Sequence, residues 1–157
     1  MPVLLYRIDD RLVHGQVVIG WGRPMNIGLI ALVDDAVSES GWEQELYRMG
    51  VPPEIALECC SLAQAATRAA AWRADARNSI VLTAEVATMV ALCRETAPVG
   101  RVVLGGLHLK PGRSVRVPYI YLADEELRLL EGLAADGVQI EAQDLPTSAP
   151  IPLAALR

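Results

Sequence analysis

The chain has 157 residues, with 14 basic and 19 acidic side chains, a formal net charge of -5 and 52% hydrophobic residues. That length suits a single domain over 1–157 with its own apolar core. The apolar content excludes a disordered chain, and the acidic balance argues against non-specific binding to nucleic acid.

Apolar, β-branched runs recur along the chain in short continuous stretches, the pattern of strands buried on both faces. Val3–Ile8 is the first and Ile27–Val33 the second. Ile55–Cys60, Ile80–Thr83, Val102–Leu104, Tyr119–Leu122 and Val138–Ala142 follow. Segments with helical spacing lie between them. Gln16–Gly22 is a short candidate, and Ser40–Met49 places Trp42, Leu46 and Met49 on one helical face. Leu62–Trp72 is rich in alanine, a strong helix former. Glu85–Thr96 presents Val86, Met89, Val90 and Cys93 together, and Asp124–Ala135 opens on three acidic residues that suit a helix N-terminus. Alternating strand and helix predict an α/β fold: a single open, mostly parallel sheet with helices on both faces. Lys110–Pro118 breaks the alternation and reads as a loop or short edge element. The proline-rich tail 145–157 reads as loosely packed, although Leu153, Ala154 and Leu156 could dock it.

Few reactive groups are present. The three cysteines, Cys59, Cys60 and Cys93, form no disulfide framework. His14 and His108 are the two histidines, and no metal-binding spacing exists, so no metal is expected. The longest apolar run is far short of the roughly 20 residues that span a bilayer. Charges at Arg7, Asp9 and Asp10 come too early for a signal peptide. A soluble, intracellular domain is expected, without direct insertion into a membrane.

The chemistry gathers after the first strand, where sites form in open α/β sheets. Arg7, Asp9, Asp10, Arg11 and His14 fall within eight positions, and a helix candidate begins directly afterwards. Amides near Gly15, Gln16 and Val17 would then point at an anion. Arg7 and Arg11 offer bidentate donors to phosphate oxygens. Gly15 leaves room for close approach, and a neutral imidazole offers a nucleophilic nitrogen. Asp9 or Asp10 could hold the other ring nitrogen or orient an arginine. The bland alternative is a solvated loop whose ion pairs contribute about 0–1 kcal/mol each.

Arg7–Val17, RIDDRLVHGQV, closely resembles the active-site signature of IIB subunits of the mannose/fructose/sorbose family of the bacterial sugar phosphotransferase system. Trp21–Ile27, Val33-Asp34-Asp35, and Gly105-Gly106 with Lys110–Arg113 support the resemblance along nearly the whole chain. The resemblance implies that His14 accepts a phosphoryl group on Nδ1 from a IIA phosphohistidine. It implies transfer to a sugar held by the membrane subunits IIC and IID, with Arg7 and Arg11 steadying the charge. It also implies matching motif positions at Asp9 and Gln16, a cytoplasmic location peripheral to the membrane subunits, and no cofactor. The alternative is a regulatory phosphohistidine module that reports phosphotransferase flux without transporting sugar. A second cluster, Gly105–Arg113, should reach the same sheet edge. There the glycines would permit close approach, and Lys110 and Arg113 would extend a positive patch, with His108 as a plain loop histidine.

Overall fold

The computed structural model describes residues 3–157. Seven strands form the central sheet: β1 (Val3–Asp9), β2 (Ile27–Val33), β3 (Ala56–Cys60), β4 (Asn78–Thr83), β5 (Arg101–Gly106), β8 (Gln139–Ala142) and β9 (Ile151–Pro152). Their spatial order is β3-β2-β4-β1-β5-β8-β9. All pairings are parallel except β8 with β9. The intervening strands β6 (Ser114–Val117) and β7 (Ile120–Leu122) pair with each other as a separate antiparallel ribbon. The predicted strand at Tyr119–Leu122 therefore exists but lies outside the main sheet, and the segment that broke the alternation is the other half of its ribbon.

The strands are continuous apolar runs because both faces are covered. Helices α3 (Leu62–Ala74), α4 (Val86–Glu95) and α5 (Asp124–Ala135) bury Trp72, Met89, Val90, Leu130 and Leu133 against one face. The opposite face packs on Val17, Val18 and Trp21, with Val37 and Tyr47 alongside. Val17, Val18 and Trp21 belong to a wide helical turn, Gln16–Trp21, whose end brings the Gly22 amide to the Val17 carbonyl five residues back. Val37 and Tyr47 come from the short helix α1 (Asp35–Ser38) and from α2 (Gly41–Met49). The sequence reading missed α1, a single turn that Asp34 caps through the Val37 amide. Helix α3 begins on a capping box between Ser61 and Gln64.

Strand β1 lies between β4 and β5. The chain winds outward on one side of it through β2 and β3, and on the other through β5 and β8. The carboxyl end of β1 thus opens where loops diverge to the two halves of the sheet. Along β1, side chains alternate between faces. Ile8 joins the core beneath α3, α4 and α5, whereas Leu5 packs on the side of the helical turn. Arg7 and Asp9 share the parity of Leu5 and so point toward that turn.

The tail is firmly packed, which corrects the expectation of a loose segment at 145–157. Strand β9 pairs with β8, and the closing turn Leu153–Leu156 buries Leu153 and Leu156 in the main core. Arg116 of the ribbon donates to the Leu156 carbonyl. Truncating a fully buried leucine typically costs about 2–5 kcal/mol. Leu156→Ala should lower the unfolding free energy by about that amount in urea titrations, whereas a loosely packed tail would give wild-type stability.

Candidate functional site

The site is built on one carboxylate. Asp9 has no exposed side-chain surface, and both of its oxygens are occupied. Oδ1 accepts from the Arg11 amide at 3.1 Å and from Arg11 Nε at 3.2 Å. Oδ2 accepts from Arg7 Nη2 at 3.3 Å, from Arg11 Nη2 at 3.1 Å and from His14 Nε2 at 3.0 Å. Burial pushes the Asp9 carboxyl up, but hydrogen bonds from His14 and Arg11 and the nearby positive charges outweigh it and hold it at about 2. An ionised carboxylate only accepts, so the His14 nitrogen facing it carries the proton. That leaves Nδ1 as the ring nitrogen with a free lone pair.

The backbone brings these groups together by a sharp reversal. The Leu12 amide returns to the Asp9 carbonyl, and Leu12 adopts φ +58, a conformation costly for a branched side chain. Burial of Leu12 and Val13 in the core holds the reversal in place and returns His14 over Asp9. His14 keeps 19% of its side-chain surface exposed, enough for one edge of the ring to be reached. Gly15 has open space around it. The Val17 and Val18 amides both bond the His14 carbonyl, so neither is free for an anion.

Arg7 and Arg11 have different tasks. Arg11 is 40% exposed and grips Asp9 with Nε and Nη2. Arg7 is wholly buried, and the expectation that it offers its guanidinium to a phosphoryl group is corrected. Its Nη1 donates to the Gln143 carbonyl, and its Nη2 donates to the Asp144 carbonyl, Asp9 and Gln16. Its Cζ lies 5.1 Å from the Trp21 ring centre, and the indole N–H also donates to Asp144. Arg7 is the floor of the site. Gln16 joins the two arginines, its Oε1 accepting from Arg7 at 2.8 Å and from Arg11 at 2.9 Å. Its amide nitrogen must therefore face away from them.

The glycines of β5 serve the arginines. A Cβ on Gly105 would sit 2.0 Å from Arg7 Cζ, and one on Gly106 would sit 3.0 Å from Arg11 Nη2. The close approach read from Gly105-Gly106 belongs to the guanidinium groups, not to an incoming phosphate.

The second loop does reach this edge, through Asp10. The Asp10 amide donates to the Gly106 carbonyl, and its carboxylate accepts from the amide and the Nδ1 side of His108. Of the two aspartates that could hold the His14 ring or orient an arginine, Asp9 contacts His14, whereas Asp10 holds His108 and lies beside Arg113. Arg113 is only 6% exposed, paired with Glu126 and 3.5 Å from Asp10. Its charge is neutralised internally, so the expected positive patch reduces to Arg11 and the exposed Lys110. The backbone carbonyls of Gln143 and Asp144 carry the floor of the site, yet no side-chain pattern announces a carbonyl's role. Trp21 could have been picked out, since it shares the helical turn with Gln16.

Among the described residues no three His, Cys, Asp or Glu side chains converge on a metal site. The cysteines are free thiols, and burial pushes Cys60 and Cys93 up to about 12, so neither supplies a thiolate.

Removing one member of a buried ion pair strands the other and costs about 3–5 kcal/mol. Arg7→Ala should therefore unfold at much lower urea, and Arg11→Ala, whose exposed side chain can be replaced at Asp9 by water, should lose clearly less. Equal stabilities would refute the division between floor and rim. Asp9 also sets an acid limb. Its folded value lies below the ordinary 3.8, so its contribution is complete above about pH 4 and vanishes as pH falls through about 2. Stability should fall more steeply over that window in wild type than in Asp9→Asn, as read by chemical denaturation at each pH.

Comparison with known proteins identifies the family of the chain. Residues 3–156 match the family described as the phosphotransferase-system sorbose subfamily IIB component. The chain is 28% identical over 155 residues to an N-acetylgalactosamine-specific phosphotransferase enzyme IIB component 2 of Escherichia coli, covering 98% of each chain. It is 24% identical to the fructose-specific EIIB component of Bacillus subtilis, covering 95% of this chain and 91% of that one. The IIB domain of the Klebsiella pneumoniae sorbose permease superposes with a TM-score of 0.90 at 22% identity, covering 99% and 96% of the two chains. The chain belongs to the sorbose-subfamily IIB components of the sugar phosphotransferase system, a phosphotransferase family.

Proposed function

We propose that His14 accepts a phosphoryl group on Nδ1 from a phosphohistidine of a IIA protein and passes it to a sugar held by membrane subunits IIC and IID. The observation that carries this reading is the 3.0 Å contact between Asp9 and His14 Nε2, which leaves Nδ1 as the nucleophile. In the first step the Nδ1 lone pair attacks phosphorus. The donor's P–N bond breaks, and its electron pair returns to the donor imidazole. The His14 ring gains positive character as the new bond forms, and the buried Asp9 carboxylate stabilises it through the Nε2 proton. In the second step a sugar hydroxyl attacks phosphorus as its proton passes to a base at the sugar site, and the P–N electron pair returns to Nδ1.

Arg11 is the exposed cation beside the reacting ring, suited to the negative oxygens in flight. Gln16 fits a lesser part: with its oxygen held by two arginines, its amide nitrogen is free to donate to the phosphoryl group. The mannose-specific EIIAB component of Escherichia coli, matched over 94% of this chain and 46% of its own length, supports a IIA partner. No helix among the described residues is long and apolar enough to cross a membrane, which suits a subunit that works peripherally in the cytoplasm and relies on partners to hold the sugar.

Incubation with phosphoenolpyruvate, the general phosphotransferase proteins and phospho-IIA should label His14 with an acid-labile, alkali-stable phosphoryl group. Label retained in His14→Ala, or lost in His108→Ala, would sink the assignment. Removing a charge-assisted donor costs about 1.5–3 kcal/mol, or roughly 10-fold to more than 100-fold in rate. Arg11→Ala should slow rapid-quench transfer by that factor. An unchanged rate would remove Arg11 from the reaction.

A further inference from the structure

Helix α2 presents an apolar face to solvent. The spacing of Trp42, Leu46 and Met49 is that of a core-facing helix, yet the three are 71%, 56% and 79% exposed. The helix is anchored by its other side, through the partly buried Tyr47 and through Gln44, whose amide donates to the Val37 and Ser38 carbonyls. Single exposed hydrophobic residues need no explanation, but a contiguous stripe on one helix does.

The charge around the stripe is as uneven. Residues 34–54 carry six acidic side chains and one arginine, so the whole formal net charge of -5 falls on this segment and the remainder is balanced. Glu43 and Glu45 flank the stripe on either side, and Glu39 lies one turn before it. Arg48 pairs with Glu45 at a loose 3.8 Å. Two copies meeting through this face would bring like charges together, which disfavours a dimer. An anionic lipid surface is disfavoured for the same reason. What the face complements is a protein surface with apolar side chains set among lysines and arginines. Cytoplasmic loops of membrane proteins carry that excess of basic residues.

We propose that the acidic-bordered stripe Trp42–Leu46–Met49 docks this protein on the basic cytoplasmic loops of the sugar-carrying membrane subunits. The inference rests on the functional reading above and adds to it the surface that makes the contact. The stripe lies on α2, outside the loop that holds His14, so substitutions in it leave the phosphoryl-accepting residues in place.

The test uses inverted membrane vesicles containing the cognate IIC and IID, with vesicles lacking them as control. Two triple variants are compared with wild type: Trp42→Ser, Leu46→Ser, Met49→Ser, and Glu39→Lys, Glu43→Lys, Glu45→Lys. All six positions are at least partly exposed, and circular dichroism checks the fold. Both variants should bind loaded vesicles about tenfold more weakly or worse, while the rate of phosphorylation by phospho-IIA stays at the wild-type value. Wild-type binding by either variant overturns the proposal. So does equal binding to empty vesicles, which would mean a lipid contact. Slowed transfer from IIA would assign the face to that donor, and wild-type dimers abolished by the first variant would assign it to self-association. Should His14 never be phosphorylated, the functional reading fails on its own, and vesicle binding still decides the surface.

Discussion

A buried carboxylate in contact with two arginines and a histidine is the constraint around which this end of the molecule is arranged. Asp9 has given up its hydration, a loss of several kcal/mol for an ion unless partners replace the water. Here they do: Arg7, Arg11 and His14 supply every donor it needs. The same bonds fix which histidine nitrogen bears the proton. Structural cost and chemical selectivity are thus settled by one set of contacts.

The demands of Asp9 propagate outward. Pairing it with a buried guanidinium requires further partners for the Nη groups of Arg7, which come from the Gln143 and Asp144 carbonyls at the end of β8. Those carbonyls are in place because the tail returns to pair with β8 and buries Leu153 and Leu156. Housing the Arg7 head needs glycine at 105, where any Cβ would strike it. The strained Leu12 is held by its own burial. A segment far away in sequence and a missing side chain on β5 are therefore as much a part of the site as the loop itself.

Much of this was legible in the sequence. The strands of the parallel sheet follow from short apolar runs, and the helices from spacing and capping residues such as Ser61. The first loop could be read as the site because charge and a histidine crowd the end of β1. What could not be read were the choices among like residues. Nothing local separates Arg7 from Arg11; strand alternation sends one beneath the site, and the reversal at Leu12 leaves the other at its rim. Asp9 and Asp10 are adjacent, yet one turns inward to His14 and the other outward to His108. Arg113 looked free because its partner Glu126 lies across the ribbon, in another element. The apolar spacing of α2 was read correctly as helical, but spacing alone does not say whether a face meets the core or a partner.

The central claim is that Asp9 reserves Nε2 and leaves Nδ1 to carry the phosphoryl group. Long-range proton–nitrogen correlation spectra of the protein labelled with nitrogen-15 in histidine, taken before and after phosphorylation by phospho-IIA, test it directly. The unphosphorylated His14 should show its proton on Nε2, and the phosphorylated ring should show the phosphorus-bound nitrogen at Nδ1. A proton on Nδ1 in the free protein, or phosphorus attached to Nε2, would contradict it.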